Sequence, residues 1–298
     1  MSDTNRVIIL GQAGGWHERS LRDGFLKYGV EVLCLPITRL ISMVGGGGSS
    51  EFGVSVEKEF VSLRHTDSIV VRAIPGGSLE QVVYRMDALH ALQEWGCKVI
   101  NSAETIERSV DKFHASFLIQ KTGIATPRTY IAERFDDAMG YFAALAGDIV
   151  LKPLFGSEGK GIVRISDPDI AYRTFRALEV TRSVYYLQEY LPSYGWDLRV
   201  FVLAGKALGC IKRLSSGWKT NISQGATPEI YPMAEEIEEA ALRAAAVFKA
   251  DYCGVDLYPS PEGFKVIEVN GIPGWRGFER ATGIPVAEEI AKWMLREF

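Results

Sequence analysis

Hydrophobic residues recur with two different periods along the first hundred residues, and these periods predict strands and helices in turn. Short apolar runs typical of buried parallel strands occupy residues 7–10, 30–35, 68–73 and 98–100. Apolar residues at helical spacing fill 17–28 and 78–95, and Asn101-Ser102 would cap the next helix. The alternation predicts a small doubly wound α/β sheet for residues 1–105.

The order of elements changes after residue 105. Over 106–187 the pattern predicts two helices and a strand, at 111–122, 136–146 and 148–152. Residues 188–298 are richer in strands, at 198–203, 206–213 and a late hairpin, with helices over 234–248 and 286–298. We therefore expect α+β structure with mixed antiparallel sheets in these two regions, after the α/β region.

The late hairpin carries three polar side chains in a pattern that suits a metal ion. Side chains alternate across a strand, so Glu268 and Asn270 point the same way, and an even register adds Asp256 from the neighbouring strand. These oxygens converge without a basic residue nearby in sequence, and magnesium carrying substrate phosphates would relieve their repulsion. The alternative is that they are polar residues on the wet face of an antiparallel hairpin.

Composition excludes several classes of protein. The formal net charge of -4 and the hydrophobic fraction of 47% give no bias toward nucleic acid or an anionic membrane. The four cysteines are scattered without a CxxC pair, so structural zinc and a disulfide framework are not expected. The apolar run Val7–Leu10 is too short for a signal peptide, and no later stretch could span a membrane. We expect a soluble cytoplasmic protein.

Two glycine-rich stretches in the first region are weak candidates for nucleotide binding. Gly11, Gly14 and Gly15 follow the first strand, but the G-x-G-x-x-G spacing of a dinucleotide site is missing. We therefore interpret residues 1–105 as Rossmann-like in topology and not as a nicotinamide site. The run Gly45–Gly48 is predicted to be a mobile surface loop, because no strand-to-helix context supports a phosphate cradle.

A second glycine loop has better chemistry for phosphate. Lys152 ends a strand and is followed by the loop Gly156, Ser157, Gly159, Lys160 and Gly161, whose amides and lysine could approach a triphosphate. The loop returns into a strand at 163–165, so it is not a Walker loop. By itself it could equally be a hairpin turn with a solvated lysine, and Lys112 could be a surface residue.

Further polar residues fall at strand ends in the last region. Backbone groups of Gln188, Glu189, Tyr190 and Leu191 could pair with an adenine edge, and Glu189 or Asp197 could accept ribose hydroxyls. An ordinary cross-strand ion pair is the alternative for Asp197 and Arg199. Arg213 closes the following strand, and Lys219 and Asn221 lie in a loop that could reach a phosphate.

Taken in order, these motifs resemble the ATP-grasp superfamily. The matching segments are 111–112, 151–153 with its glycine loop, 188–190, 197–199, 219–221, 254–256 and 268–270. They are most similar to the RimK-like α-L-glutamate ligases, and the resemblance runs from about Asn101 to the C-terminus. It implies a Rossmann-like pre-ATP-grasp domain over 1–105 and a two-part ATP-grasp fold, with an N-terminal subdomain over 106–187 and a C-terminal subdomain over 188–298.

The resemblance also implies residue roles. ATP would be bound by Lys112, Lys152, Gly156, Ser157, Gly159, Lys160, Gly161, Gln188, Glu189, Tyr190, Leu191, Asp197, Lys219 and Asn221. Asp256, Glu268 and Asn270 would hold magnesium, with two ions expected and Mn²⁺ a possible substitute. Arg199 and Arg213 would grip the activated carboxylate, because a guanidinium matches such oxyanions bidentately. Arg72, Arg276 and Arg280 are candidates for an acidic substrate.

The implied activity is ATP-dependent ligation of a carboxylate and an amine through an acyl phosphate. The resemblance suggests addition of L-glutamate to a pterin- or furan-type cofactor or to a peptide or protein C-terminus, by a homo-oligomer. Lys219 and the pair Trp275-Arg276 depart from the pattern of the ribosomal-protein enzymes and leave the acceptor open. Two alternatives are a ligase for another amino acid or acceptor, and a catalytically idle nucleotide-binding module.

Overall fold

The structure is a computed structural model that describes residues 6–12, 14–45, 50–156, 159–192 and 194–297. Its first part contains β1 (Arg6–Gly11), α1 (Trp16–Leu26), β2 (Glu31–Pro36), β3 (Leu40–Met43), β4 (Glu51–Val56), β5 (Glu59–Ser62), β6 (Ser68–Val71), α2 (Leu79–Trp95) and β7 (Lys98–Ile100). Strands β2-β1-β6-β7 form one parallel sheet.

Alternation along β1 explains why this sheet is covered on both faces. Ile8 and Leu10 pack with α2, whereas Val7 and Ile9 pack with α1 and with residues from the C-terminal end of the chain. All four side chains are at most 3% exposed, as expected of a strand buried on both faces. The predicted doubly wound α/β arrangement is therefore present.

The three-stranded antiparallel sheet β3-β4-β5 was not predicted. Phe52 and Val54 of β4 are buried and extend the core that contains Ile8 and Leu10. The predicted loop at Gly45–Gly48 falls between β3 and β4, and Gly46–Gly48 lie outside the described residues. The polar and glycine residues around 45–50 hid the apolar alternation of these short strands.

The middle part forms a second layer of sheet and helices. It contains α3 (Ala103–Val110), α4 (Lys112–Lys121), β8 (Thr129–Ala132), α5 (Phe135–Ala144), β9 (Ile149–Lys152), β10 (Val163–Ile165), α6 (Pro168–Val180) and β11 (Tyr185–Glu189). The strands form an antiparallel sheet in the order β10-β9-β11-β8. Helices α5 and α6 bury Phe142 and Phe175 against one face, which leaves the other face to the site described below.

The last part contains β12 (Trp196–Leu203), β13 (Lys206–Leu214), β14 (Thr227–Ile230), α7 (Glu235–Val247), β15 (Tyr252–Ser260), β16 (Gly263–Asn270), α8 (Arg276–Thr282) and α9 (Val286–Glu297). The five strands form an antiparallel sheet in the order β14-β13-β12-β15-β16. Val200 faces α7, whereas Phe201 faces the core shared with β1, so this sheet is also covered on both sides. The predicted hairpin is formed by β15 and β16.

Asn101 connects the first part of the chain to this hairpin. Its buried amide donates to the carbonyls of Tyr252 (2.7 Å) and Gly271 (2.6 Å) and accepts from the amide of Asp251 (2.7 Å). These partners lie at the start of β15 and directly after β16, so the Asn101 side chain binds the two strands together at the open end of the hairpin. Within the described residues, no helix is long and apolar enough to cross a membrane.

Candidate active site

A cleft lies between the sheet of the middle part and the sheet of the last part. Fifteen of the residues predicted from the motifs line it: Lys112, Lys152, Gly156, Gly159, Lys160, Gln188, Glu189, Tyr190, Leu191, Asp197, Arg213, Lys219, Asn221, Asp256 and Glu268. Ser157 lies outside the described residues. Motifs that are far apart in sequence thus meet in one place.

The hairpin register places two of the predicted metal ligands, Asp256 and Glu268, side by side in the cleft, whereas Asn270 does not line the cleft among the described residues. Asp256 lies opposite Glu268, and Gly254 lies opposite Asn270, as the even register requires. The side-chain oxygen of Asn270 accepts a hydrogen bond from the amide of Ile272 at 3.0 Å. The described residues contain no group of three His, Cys, Asp or Glu side chains suited to a metal. A cation here would therefore depend on two carboxylates, an amide and oxygens from its ligand.

Asp256 does have basic partners, which corrects the expectation of an unpaired cluster. Arg199 holds it bidentately, with Nε–Oδ1 at 2.6 Å and Nη2–Oδ2 at 2.8 Å, and Arg213 Nη2 lies 2.9 Å from Oδ2. Burial alone would raise the pKa of Asp256, but the two guanidinium groups hold it below its usual value. The sequence missed these contacts because they cross between strands 57 and 43 residues apart.

Arg213 is shared between Asp256 and Asp197. Its Nε donates to Asp197 Oδ1 at 2.6 Å, its Nη2 reaches Oδ2, and the Thr220 hydroxyl also donates to Oδ2. Burial would lower the pKa of Arg213, yet the two carboxylates raise it well above its usual value. Both oxygens of Asp197 are thus engaged by protein groups, which favours the ion-pair interpretation of this residue over ribose binding.

Two lysines face the carboxylates across the cleft. Burial lowers the pKa of Lys152 to about 8, opposed by Glu268 and Asp256, and burial also lowers the pKa of Lys112. The ammonium of Lys112 donates to the carbonyl of Gly156 at 2.9 Å. The site therefore sets partly desolvated cations against carboxylates, an arrangement suited to a bound polyanion with its metal.

The glycine loop joins β9 to β10, as predicted, and crosses the cleft. Gly159 has φ +71°, and a Cβ there would lie 2.6 Å from the side-chain oxygen of Asn221 in the last part of the chain. Gly161 has φ +74°. Only glycine adopts these conformations without strain and allows such a close approach.

Residues 109–294 match the model of the RimK-like ATP-grasp domain. This chain belongs to the RimK-like ATP-grasp family. It is therefore an ATP-dependent, ADP-forming ligase that joins a carboxylate to an amine, as predicted, and the idle-module alternative is set aside.

Relatives of this RimK-like ligase cover nearly the whole chain. The tetrahydromethanopterin:alpha-L-glutamate ligase of Methanococcus maripaludis is 31% identical over 293 residues, 96% of each chain. The alpha-aminoadipate–LysW ligase LysX of Sulfurisphaera tokodaii is 30% identical over 66% of this chain and 73% of its own. The ATP-grasp ligase PsnB with its minimal precursor has a TM-score of 0.76 at 17% identity, covering 99% of this chain and 100% of that one.

The cleft also has lining residues that the motifs did not identify. Apolar or aromatic walls come from Pro127, Val150, Ile162, Trp218, Tyr258 and Ile267. Tyr190 is held under the guanidinium of Arg164, 3.5 Å from its ring centre. The Glu189 carboxylate binds Arg128 Nε and Lys265 Nζ, both at 3.0 Å, so it is not free for ribose in this arrangement. Apolar wall residues carry no motif, and only their place beside β9 and β11 could have suggested them.

The three arginines predicted for an acidic substrate do not line the cleft among the described residues. Arg72 donates to the Tyr252 hydroxyl (3.2 Å) and the Pro273 carbonyl (2.9 Å) and lies 4.4 Å from the Trp275 ring centre. It therefore braces the loop after β16. Arg276 and Arg280 are exposed on α8. Their role as substrate ligands stays a prediction without support from the contacts.

Proposed function

We propose that this ligase adds L-glutamate to a carboxylate-bearing acceptor of the tetrahydromethanopterin type. The observation that carries the proposal is the 31% identity, over 96% of each chain, to the tetrahydromethanopterin:alpha-L-glutamate ligase of Methanococcus maripaludis. Two further relatives with the same name are 31% and 28% identical. A peptide or protein C-terminus is the second candidate acceptor, favoured by the similarity to LysX and by structural neighbours solved with peptides.

The residues of the cleft fit Mg·ATP. We assign the phosphates to Lys112, Lys152, Lys160, Lys219, Asn221 and the loop 156–161, and the adenine to the backbone of 189–191. Asp256, Glu268 and Asn270 would hold magnesium, which would screen the charge of the phosphates; one structural neighbour of the same fold was solved with Mg and ADP. The fit rests on the carboxylates of Asp256 and Glu268 opposite two desolvated lysines, and on Gly159, where a Cβ would lie 2.6 Å from the side-chain oxygen of Asn221.

The chemistry requires no protein nucleophile. The acceptor carboxylate attacks the γ-phosphorus of ATP and forms an acyl phosphate while ADP leaves. The glutamate amine then attacks the acyl carbon, loses a proton, and inorganic phosphate departs as the amide forms. We assign Arg199 and Arg213 to the acyl oxyanions, because guanidinium groups match such anions; Arg213 lines the cleft, and Arg199 is paired with Asp256, which lines it.

ADP release separates the candidate substrates. The purified protein is incubated with Mg·ATP, one amino acid and one acceptor. The amino acid is L-glutamate or L-α-aminoadipate, and the acceptor is a tetrahydromethanopterin-type pterin or a peptide that ends in glutamate. ADP is measured for each pairing, and the masses of the products are determined by mass spectrometry. The proposal expects ADP and a mass increase of one glutamyl residue only with glutamate and the pterin. Turnover restricted to a peptide acceptor, or to α-aminoadipate, would contradict it. The predicted homo-oligomer and cytoplasmic location stay predictions.

A further inference from the structure

The ammonium of Lys152 is held by a polar network on the inner face of the middle sheet. Its Nζ donates to the side-chain oxygen of Gln188 at 2.6 Å. In the antiparallel register Lys152 lies opposite Tyr186, and Gln188 lies opposite Thr129 on β8. Three adjacent strands therefore place these four side chains on one face, as direct or diagonal neighbours. The motif pattern had grouped Gln188 with the adenine-binding residues, whereas its side chain turns to the lysine.

The hydrogen bonds in this network run in one direction. The Gln188 amide nitrogen donates to the Thr129 hydroxyl at 3.0 Å and to the Tyr186 hydroxyl at 3.4 Å. Thr129 in turn donates to the carbonyl of Pro127 at 3.0 Å. Since the Thr129 proton is committed to Pro127, its oxygen must accept from the glutamine. If the Gln188 amide were flipped, its NH₂ group would face the Lys152 ammonium, and its carbonyl oxygen would face the hydroxyl oxygen of Thr129. Both contacts are repulsive, so the observed orientation of the amide is favoured.

Burial makes this orientation costly to lose. Gln188 is 4% exposed and Tyr186 is 1% exposed, so polar atoms left without partners there would not regain water easily. The Tyr186 hydroxyl is itself paired with Ser116 Oγ at 2.8 Å, on α4. Lys152 is a long side chain with many rotamers, and Gln188 is its one hydrogen-bond partner within the described part of the chain. The other two ammonium protons are left for an anion in the cleft.

We propose that Gln188, Thr129 and Tyr186 are positioning residues, which hold the Lys152 ammonium in place for the phosphates of the nucleotide. The inference rests on the proposed contact between Lys152 and phosphate. Thr129 and Tyr186 do not line the cleft among the described residues, so they act through Gln188 and Lys152 and not by touching the nucleotide. Fixing the lysine before binding removes part of the entropy that a free side chain would lose on contact.

The test compares Thr129→Val with Thr129→Ser by calorimetric titration of Mg·ADP and of adenosine. Valine keeps the shape but removes the hydroxyl, and the weakened amide orientation should lower Mg·ADP affinity about threefold to tenfold. Adenosine lacks phosphates, so its affinity should be unchanged. Serine keeps the hydroxyl and should restore Mg·ADP affinity to within about twofold of the wild type. A merely structural role would weaken both ligands alike.

Three further variants keep the test decisive. Gln188→Leu removes the acceptor for the ammonium and should lower Mg·ADP affinity at least as much as Thr129→Val; Tyr186→Phe replaces Thr129→Val if the latter does not fold. Lys152→Met separates this inference from the proposed function. If Lys152→Met loses Mg·ADP affinity while Thr129→Val and Tyr186→Phe do not, the positioning role is wrong. If Lys152→Met binds Mg·ADP as the wild type does, the phosphate contact itself is wrong.

Discussion

Replacing Arg213 with methionine should destabilise the protein strongly, because the guanidinium neutralises two buried carboxylates. Arg213, Asp197 and Asp256 are 2%, 1% and 2% exposed. Methionine fills the space of the arginine stem and, within the described residues, leaves Asp197 with only the Thr220 hydroxyl as a side-chain partner, while Asp256 keeps Arg199. Breaking a buried ion pair by removing one partner costs about 3–5 kcal/mol of the free energy of unfolding. We expect a loss in that range at pH 7.

Urea unfolding followed by circular dichroism measures this loss, with Arg173→Met as the matched control. Arg173 pairs with Asp169 on the surface, where the two side chains are 72% and 64% exposed. Exposed pairs at this helical spacing contribute about 0.5 kcal/mol or less, so the control should unfold near the wild-type urea midpoint. A loss below about 1 kcal/mol for Arg213→Met, or one equal to the control, would refute the reasoning.

The pH dependence of the same variant gives a second check. Burial raises the pKa of Asp197 even with Arg213 present, and removal of the guanidinium should raise it further. In the variant the folded state then binds a proton that the unfolded state does not, so its stability rises as pH falls through the folded-state pKa. The deficit of Arg213→Met relative to the wild type should therefore be smaller at pH 5 than at pH 7. An equal deficit at both values would contradict the buried-charge explanation.

Three more predictions test the cleft. Glu268→Gln should abolish ADP formation while the thermal midpoint stays near that of the wild type, and full activity would exclude Glu268 as a metal ligand. Because the pKa of Lys152 is about 8, Mg·ADP affinity should fall about tenfold from pH 7 to pH 9, and Lys152→Arg should flatten that calorimetric profile. Gly159→Ala should lower kcat/KM by crowding Asn221, whereas Gly205→Ala, at the same φ of +71° in an open turn, should not.

Much of the fold could be predicted because its signals are local. The apolar spacing along the sequence predicts strand β1 and helix α2, and Ser78 is a suitable cap for the start of α2. The hairpin of β15 and β16 follows from two alternating runs around a turn. The short strands β3 to β5 escaped, as did helices α6 and α8. Packing against the neighbouring core decides that such segments become regular structure.

The sequence by itself determined the order of the motifs, and their resemblance to the ATP-grasp superfamily indicated most of the residues that meet in the cleft; strand alternation placed Glu268 and Asn270 on one face of the hairpin. Only the tertiary structure decided their partners. Arg213 reaches Asp256 and Asp197, Gln188 turns to Lys152, and Arg72 braces Pro273. These choices depend on which strands lie side by side and in which register. A buried charge is stabilised by an opposite charge that lies close to it in the fold. The number of residues between two positions along the chain does not specify which residues become such neighbours.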